Sequence, residues 1–110
     1  MGNLLILLIV LNMILKIAYD DNSEKLITEL KDVLEKFPLV NLETYHENLF
    51  NERKKAFGLK SEWGTRLSPF AILIDNENPI KAFYSDVNEC TIDNISKVLK
   101  SFIPYESASN

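Results

Sequence analysis

One cysteine, Cys90, stands in the 110 residues of this chain. An intrachain disulfide and a Cys-x-x-Cys motif are therefore both excluded. So few thiols fit a reducing compartment, and a cytoplasmic location is expected. Histidine is as scarce, with His46 alone. No transition-metal cluster of cysteine and histidine ligands can be assembled from one of each, and neither a metal nor a cofactor is expected. Positive charge is also short. Twelve Lys and Arg face 16 Asp and Glu, for a net charge of −4. Nucleic acid, whose binding depends on phosphate neutralisation, is not an expected partner. What remains is ordinary for one globular domain: 46% hydrophobic and 25% charged residues. That length can bury a core without disulfides or metal.

The longest apolar run, Leu4 to Leu11, lies at the N-terminus. A signal peptide wants positive charge ahead of such a run, and Met1-Gly2-Asn3 brings no charged side chain. A spanning helix needs about 20 apolar residues, and Lys16 interrupts this one too early. Ile6 stands where a myristoylation motif wants Ser or Thr. Residues 1–12 are expected to be a leader or an extra packed element, with a membrane contact through residues 4–11 as the minor alternative. Residues 13–104 are expected to form the domain and 105–110 a flexible tail. The chain has no internal repeats and no linkers.

Ile14 to Tyr19 is a short apolar run closed by Asp20-Asp21-Asn22-Ser23, the pattern of a buried strand. Leu26, Ile27, Leu30, Val33, Leu34 and Phe37 then keep the spacing of one buried helix face. Asp21 with Glu24, or Ser23 alone, is expected to cap that helix, and Pro38 to stop it. Val40, Leu42 and Thr44 alternate with polar neighbours and predict an edge strand. A second helix is expected from Leu49 to Phe57, with Gly58 in the C-cap position. Pro69 leads into the apolar strand Phe70–Asp75, so it must sit at the strand's first residue or at a bulge. The turn Asn76-Glu77-Asn78-Pro79 leads back into Ile80 to Tyr84 as an antiparallel partner. Thr91 caps a last helix whose face is Ile92, Ile95, Val98, Leu99 and Phe102. The expected class is α/β, a three-layer sandwich in the order βαβαββα around a four-stranded mixed sheet.

Three short motifs in this order carry a family resemblance: Phe57-Gly58-Leu59, Ser68-Pro69-Phe70 and Phe83-Tyr84-Ser85. Over about residues 13 to 103 the chain resembles the thioredoxin/glutaredoxin superfamily. The resemblance implies a thioredoxin-like fold, a cis peptide before Pro69, and an active-site surface around that proline. It also places the family's dithiol loop at Asp20-Asp21-Asn22-Ser23, which has no cysteine at either end. Dithiol exchange needs an attacking thiolate and a resolving partner, so this domain lacks the CxxC chemistry. The bland role for those four residues is to cap the helix.

A stretch longer than thioredoxins have, Lys60 to Arg66, leads into the proline. It carries Trp63 and Arg66, residue types that make binding hot spots, although a lone tryptophan also suits a core. In the family, the residue before the cis proline pairs its backbone with an extended ligand, here Ser68. The leading expectation is a redox-inactive module that binds a protein or extended peptide segment, with no catalytic residue. Its site would comprise Ser68, Pro69, Trp63, Arg66, Asp20, Asp21, Asn22 and Ser23. The alternative is a monothiol, glutathione- or thiol-linked oxidoreductase using Cys90 at the start of the last helix. Asp86, Glu89 and Asp93 oppose that role by disfavouring a thiolate. His46 is expected at the surface, and Arg53-Lys54-Lys55 on a solvated helix face.

Overall fold

A computed structural model describes residues 13–58 and 60–102, with the main chain alone at positions 61 and 102. The apolar N-terminal run and the expected C-terminal tail lie outside the described residues. The elements are β1 (Met13–Tyr19), α1 (Glu24–Leu34), β2 (Val40–His46) and α2 (Phe50–Ala56). After them come β3 (Phe70–Asp75), β4 (Asn78–Phe83) and α3 (Ile92–Phe102). Short 3-10 turns at Asp21–Ser23 and Ser61–Thr65 precede α1 and β3.

The four strands form one sheet in the order β2-β1-β3-β4. β1 runs parallel to β2 and antiparallel to β3, while β3 and β4 form a hairpin. The two apolar runs are thus the central strands, and the alternating strand is at an edge. Period-two alternation along β1 divides the core. Met13, Leu15 and Ile17 face α1 and α3, packing with Ile27, Leu30, Leu34, Ile95 and Leu99. Ala18 faces the other way, with Phe57, Trp63, Phe70, Ile72 and Ile74. Helices on both faces make the three-layer α/β sandwich that the order of elements predicts.

Three local details differ from expectation. Asp20, not Asp21 or Ser23, is the first capping residue. Its Oδ1 accepts from the Ser23 amide at 3.0 Å, and its own amide donates to Ser23 Oγ at 2.9 Å. This reciprocal box closes the 3-10 turn, and α1 continues from it. Gly58 does not adopt a left-handed backbone. Its value is close approach instead, because a Cβ there would lie 3.2 Å from the Lys55 carbonyl oxygen. The hairpin turn is only Asn76-Glu77, so β4 starts earlier and includes Pro79. An edge strand tolerates that proline, and pairing is irregular there, passing from Leu73↔Lys81 to Ile74↔Pro79. Thr91 does cap α3: its Oγ1 accepts from the Asn94 amide at 3.2 Å.

Candidate functional site

The Ser68–Pro69 peptide is cis. Pairing of β3 with β1 begins at Phe70↔Ala18, so Ser68 lies just outside the ladder. Aromatic residues support the loop from below. Phe70 packs on Phe57, Trp63 and Tyr84 with ring centroids 5.5, 6.2 and 5.3 Å apart. Arg66 lies over Tyr84, its guanidinium carbon 4.4 Å from the ring centroid, and reaches Asp86 at 3.9 Å. Ser85 Oγ donates to the Leu67 carbonyl at 3.1 Å, tying the loop to the segment after β4.

The strongest tie comes from Arg53, which sequence reasoning assigned to a solvated face. It is the sole buried charged side chain among the described residues, at 6% exposure. From α2 it donates to the Arg66 carbonyl and, at 3.2 Å, to Ser68 Oγ. Burial pulls its guanidinium below the ordinary value, and the charges of Glu47 and Asp20 partly oppose that. The guanidinium fork satisfies two acceptors of an irregular segment that has no ladder to satisfy them. The basic tripeptide concealed this role, because the partners lie 13 and 15 residues away.

Two grooves flank the proline. One, of about 580 Å³, is lined by Asn22, Ser23, Leu26, Glu29, Pro69, Cys90, Thr91, Ile92 and Asp93. It unites the dithiol-position loop with the proline and the cysteine. The other, about 370 Å³, is lined by Glu47, Asn48, Phe50, Arg53, Arg66, Leu67 and Ser68 among others. Of the residues expected at the site, Asn22, Ser23 and Pro69 line the first groove, and Arg66 and Ser68 the second. Asp20 is taken up by the cap. Trp63, expected as a wall of the site, is 4% exposed and part of the core beneath it. Its burial against Phe70 and Phe57, with the indole N–H meeting no acceptor among the described residues, makes it part of the packing under the loop. A third hollow, about 290 Å³, opens away from the proline beside Ile14, Lys16 and Ile74. There Lys16 Nζ donates to the Ala56 carbonyl at 2.8 Å, so its charge caps the end of α2.

Cys90 is 7% exposed and belongs to the core between the sheet, α1 and α3. Burial pushes its thiol from an ordinary 9.0 up to about 12. A thiol of that kind is almost wholly protonated at neutral pH and makes a poor nucleophile. Desolvation is the cause, rather than the neighbouring carboxylates that sequence reasoning invoked.

His46 is less exposed than expected. Its side chain is 17% accessible, meets Tyr19 edge-on at 5.1 Å, and holds Asp21 Oδ1 through Nε2 at 2.7 Å. Its Nδ1 accepts from the Asn48 amide at 3.0 Å. That amide fixes the hydrogen on Nε2, where it serves Asp21. Glu24 is close enough to complete a three-ligand set with Asp21 and His46. Ligation through Nε2 would need the hydrogen moved to Nδ1, against the Asn48 N–H. The donors as arranged fit a hydrogen-bonded cap better than a cation site.

A solved structure, a mutant thioredoxin from Halobacterium salinarum NRC-1, overlays on 93% of this chain and 84% of its own with a TM-score of 0.55. The fold is thioredoxin-like. Sequence identity across that overlay is 13%, so the likeness concerns architecture alone. No protein-family model matches the chain, and no curated protein sequence does. In this thioredoxin-like domain no described helix is long and apolar enough to cross a membrane.

Proposed function

We propose that this thioredoxin-like domain is a redox-inactive binding module that takes an extended peptide segment of a partner protein at its proline loop, in the cytoplasm. One observation carries the reading. The large apolar residues left exposed among the described residues are Leu49, Phe50, Leu67 and Val87, at 47, 52, 71 and 63%. Phe50 and Leu67 line one groove with Ser68, and Val87 follows the segment that Ser85 ties to Leu67. The apolar surface that Phe50 and Leu67 expose in one groove of a small domain supports an interaction site there. Ser68, outside the ladder, offers main-chain groups of the kind that extended ligands pair with.

Selection of a displayed random-peptide library on the full chain tests this. Enriched peptides should lose binding in Leu67→Asp while circular dichroism stays unchanged. Failure to enrich any peptide, or enrichment indifferent to Leu67→Asp, would overturn the proposal. A monothiol oxidoreductase is the second reading, favoured by the place of Cys90 beside Pro69. Disulfide-reduction turnover that vanishes in Cys90→Ser would establish it in place of the first.

A further inference from the structure

The two grooves beside Pro69 differ in charge. The larger is lined by the carboxylates of Glu29 and Asp93 and by no lysine or arginine. Elsewhere on this rim acidic groups are engaged: Glu89 pairs with Lys81 at 3.1 Å, and Asp86 reaches Arg66. Glu29 and Asp93 take part in no ion pair among the described residues. The starts of α1 and α3 border the same groove and carry partial positive charge. Those ends are already answered by the Asp20–Ser23 box and by Thr91 Oγ1. Glu29 and Asp93, the latter in the first turn of α3, are thus the charged side chains that line this groove, beside the apolar Leu26, Pro69, Cys90 and Ile92. Across the proline, Phe50 and Leu67 offer apolar surface.

We infer that the segment docked at the proline loop is basic as well as apolar. It carries Lys or Arg over Glu29 and Asp93 on one side of Pro69, and an apolar residue against Leu67 and Phe50 on the other. This inference rests on the peptide-binding reading and adds which peptides are accepted. Long basic side chains suit such a groove, laying their methylenes on the apolar floor and their charge at the carboxylate rim.

The test titrates two short peptides into the isotope-labelled full chain, one alternating valine with lysine and one valine with glutamate. The lysine peptide should shift the amides of Ser23, Leu26, Ser68 and Thr91 and bind roughly tenfold more tightly, as two exposed ion pairs allow. In the double variant Glu29→Gln with Asp93→Asn, that preference should fall to about twofold or less. Binding to a valine–serine peptide should stay the same, which separates lost charge from lost fold. Equal binding of the two charged peptides, or a preference that survives the double variant, overturns this inference alone. No binding by any of the peptides overturns it together with the docking reading on which it rests.

Discussion

Arg53 holds two acceptors of the proline loop at once, the Arg66 carbonyl and the Ser68 hydroxyl. Replacing it with Met keeps the packing length and leaves the Arg66 carbonyl without its donor. Relief of a desolvated charge offsets part of that loss. Arg53→Met should lower stability by about 1–2 kcal/mol in denaturant unfolding and speed amide exchange from Arg66 to Phe70. Arg53→Lys should not rescue the loop, since an ammonium cannot serve both acceptors as a planar fork does. Cys90 gives a second expectation. Its folded thiol titrates near 12 and its unfolded thiol near 9.0. Below pH 9 both states hold the proton, so the stabilisation is complete. Above it the unfolded chain ionises first, and stability falls by about 1.4 kcal/mol per pH unit until the folded thiol ionises as well. The stability difference between wild type and Cys90→Ala should shrink at that slope between pH 9 and 12. A constant difference would show that the thiol is not desolvated as described.

The β3–β4 hairpin carries strain that can be relieved. Asn76 and Glu77 both have positive φ, 50° and 69°, as a two-residue type I′ turn requires. Glycine suits the second position, whereas a side chain such as that of Glu77 costs energy in the left-handed region. Glu77→Gly should therefore raise stability by a few tenths to about 1 kcal/mol in thermal or denaturant unfolding. Gly64 behaves in the opposite sense. A Cβ there would lie 2.9 Å from Lys54 Cα, so the 3-10 turn before the proline would have to move off α2. Gly64→Ala should cost about 1–3 kcal/mol, and its unfolding midpoint would drop accordingly. Order and class of the elements were legible from periodicity and punctuation. Apolar runs marked β1 and β3, alternation marked the edge strand β2, and Thr91 marked the start of α3. The proline loop was legible too, through the resemblance that Ser68-Pro69-Phe70 carries. What holds that loop was not. Arg53 sits in a basic tripeptide that looks solvated, and Gly64 owes its identity to Lys54 across a tertiary contact. Neither leaves a local signal. Trp63 was ambiguous for the same reason, its burial depending on Phe70 beneath it.

At the scale of the whole molecule, the described residues cover the two faces of the sheet unequally. Two eleven-residue helices, α1 and α3, close one face, and the seven-residue α2 with a 3-10 turn closes the other. Among the described residues the first face buries fourteen core side chains and the second six. Burial is the main stabilising term, so α2 and the turn should open at a lower free energy than the central strands. Arg53 makes that opening relevant to the site, since its guanidinium spans from α2 to the proline loop. When α2 detaches, the Arg66 carbonyl and Ser68 lose their anchor together. Native-state hydrogen exchange should place the amides of α2 and residues 60–66 in one sub-global unit, less protected than β1 and β3. A peptide that pairs with Ser68 needs the loop in place, so its binding must also favour the closed state of α2. Protection should then rise with peptide concentration at Lys54, Lys55 and Ala56 too, α2 residues that do not line the docking groove. Exchange of α2 only through global unfolding, or no change in its protection at saturating peptide, would show that the loop stands independently of the helix that braces it.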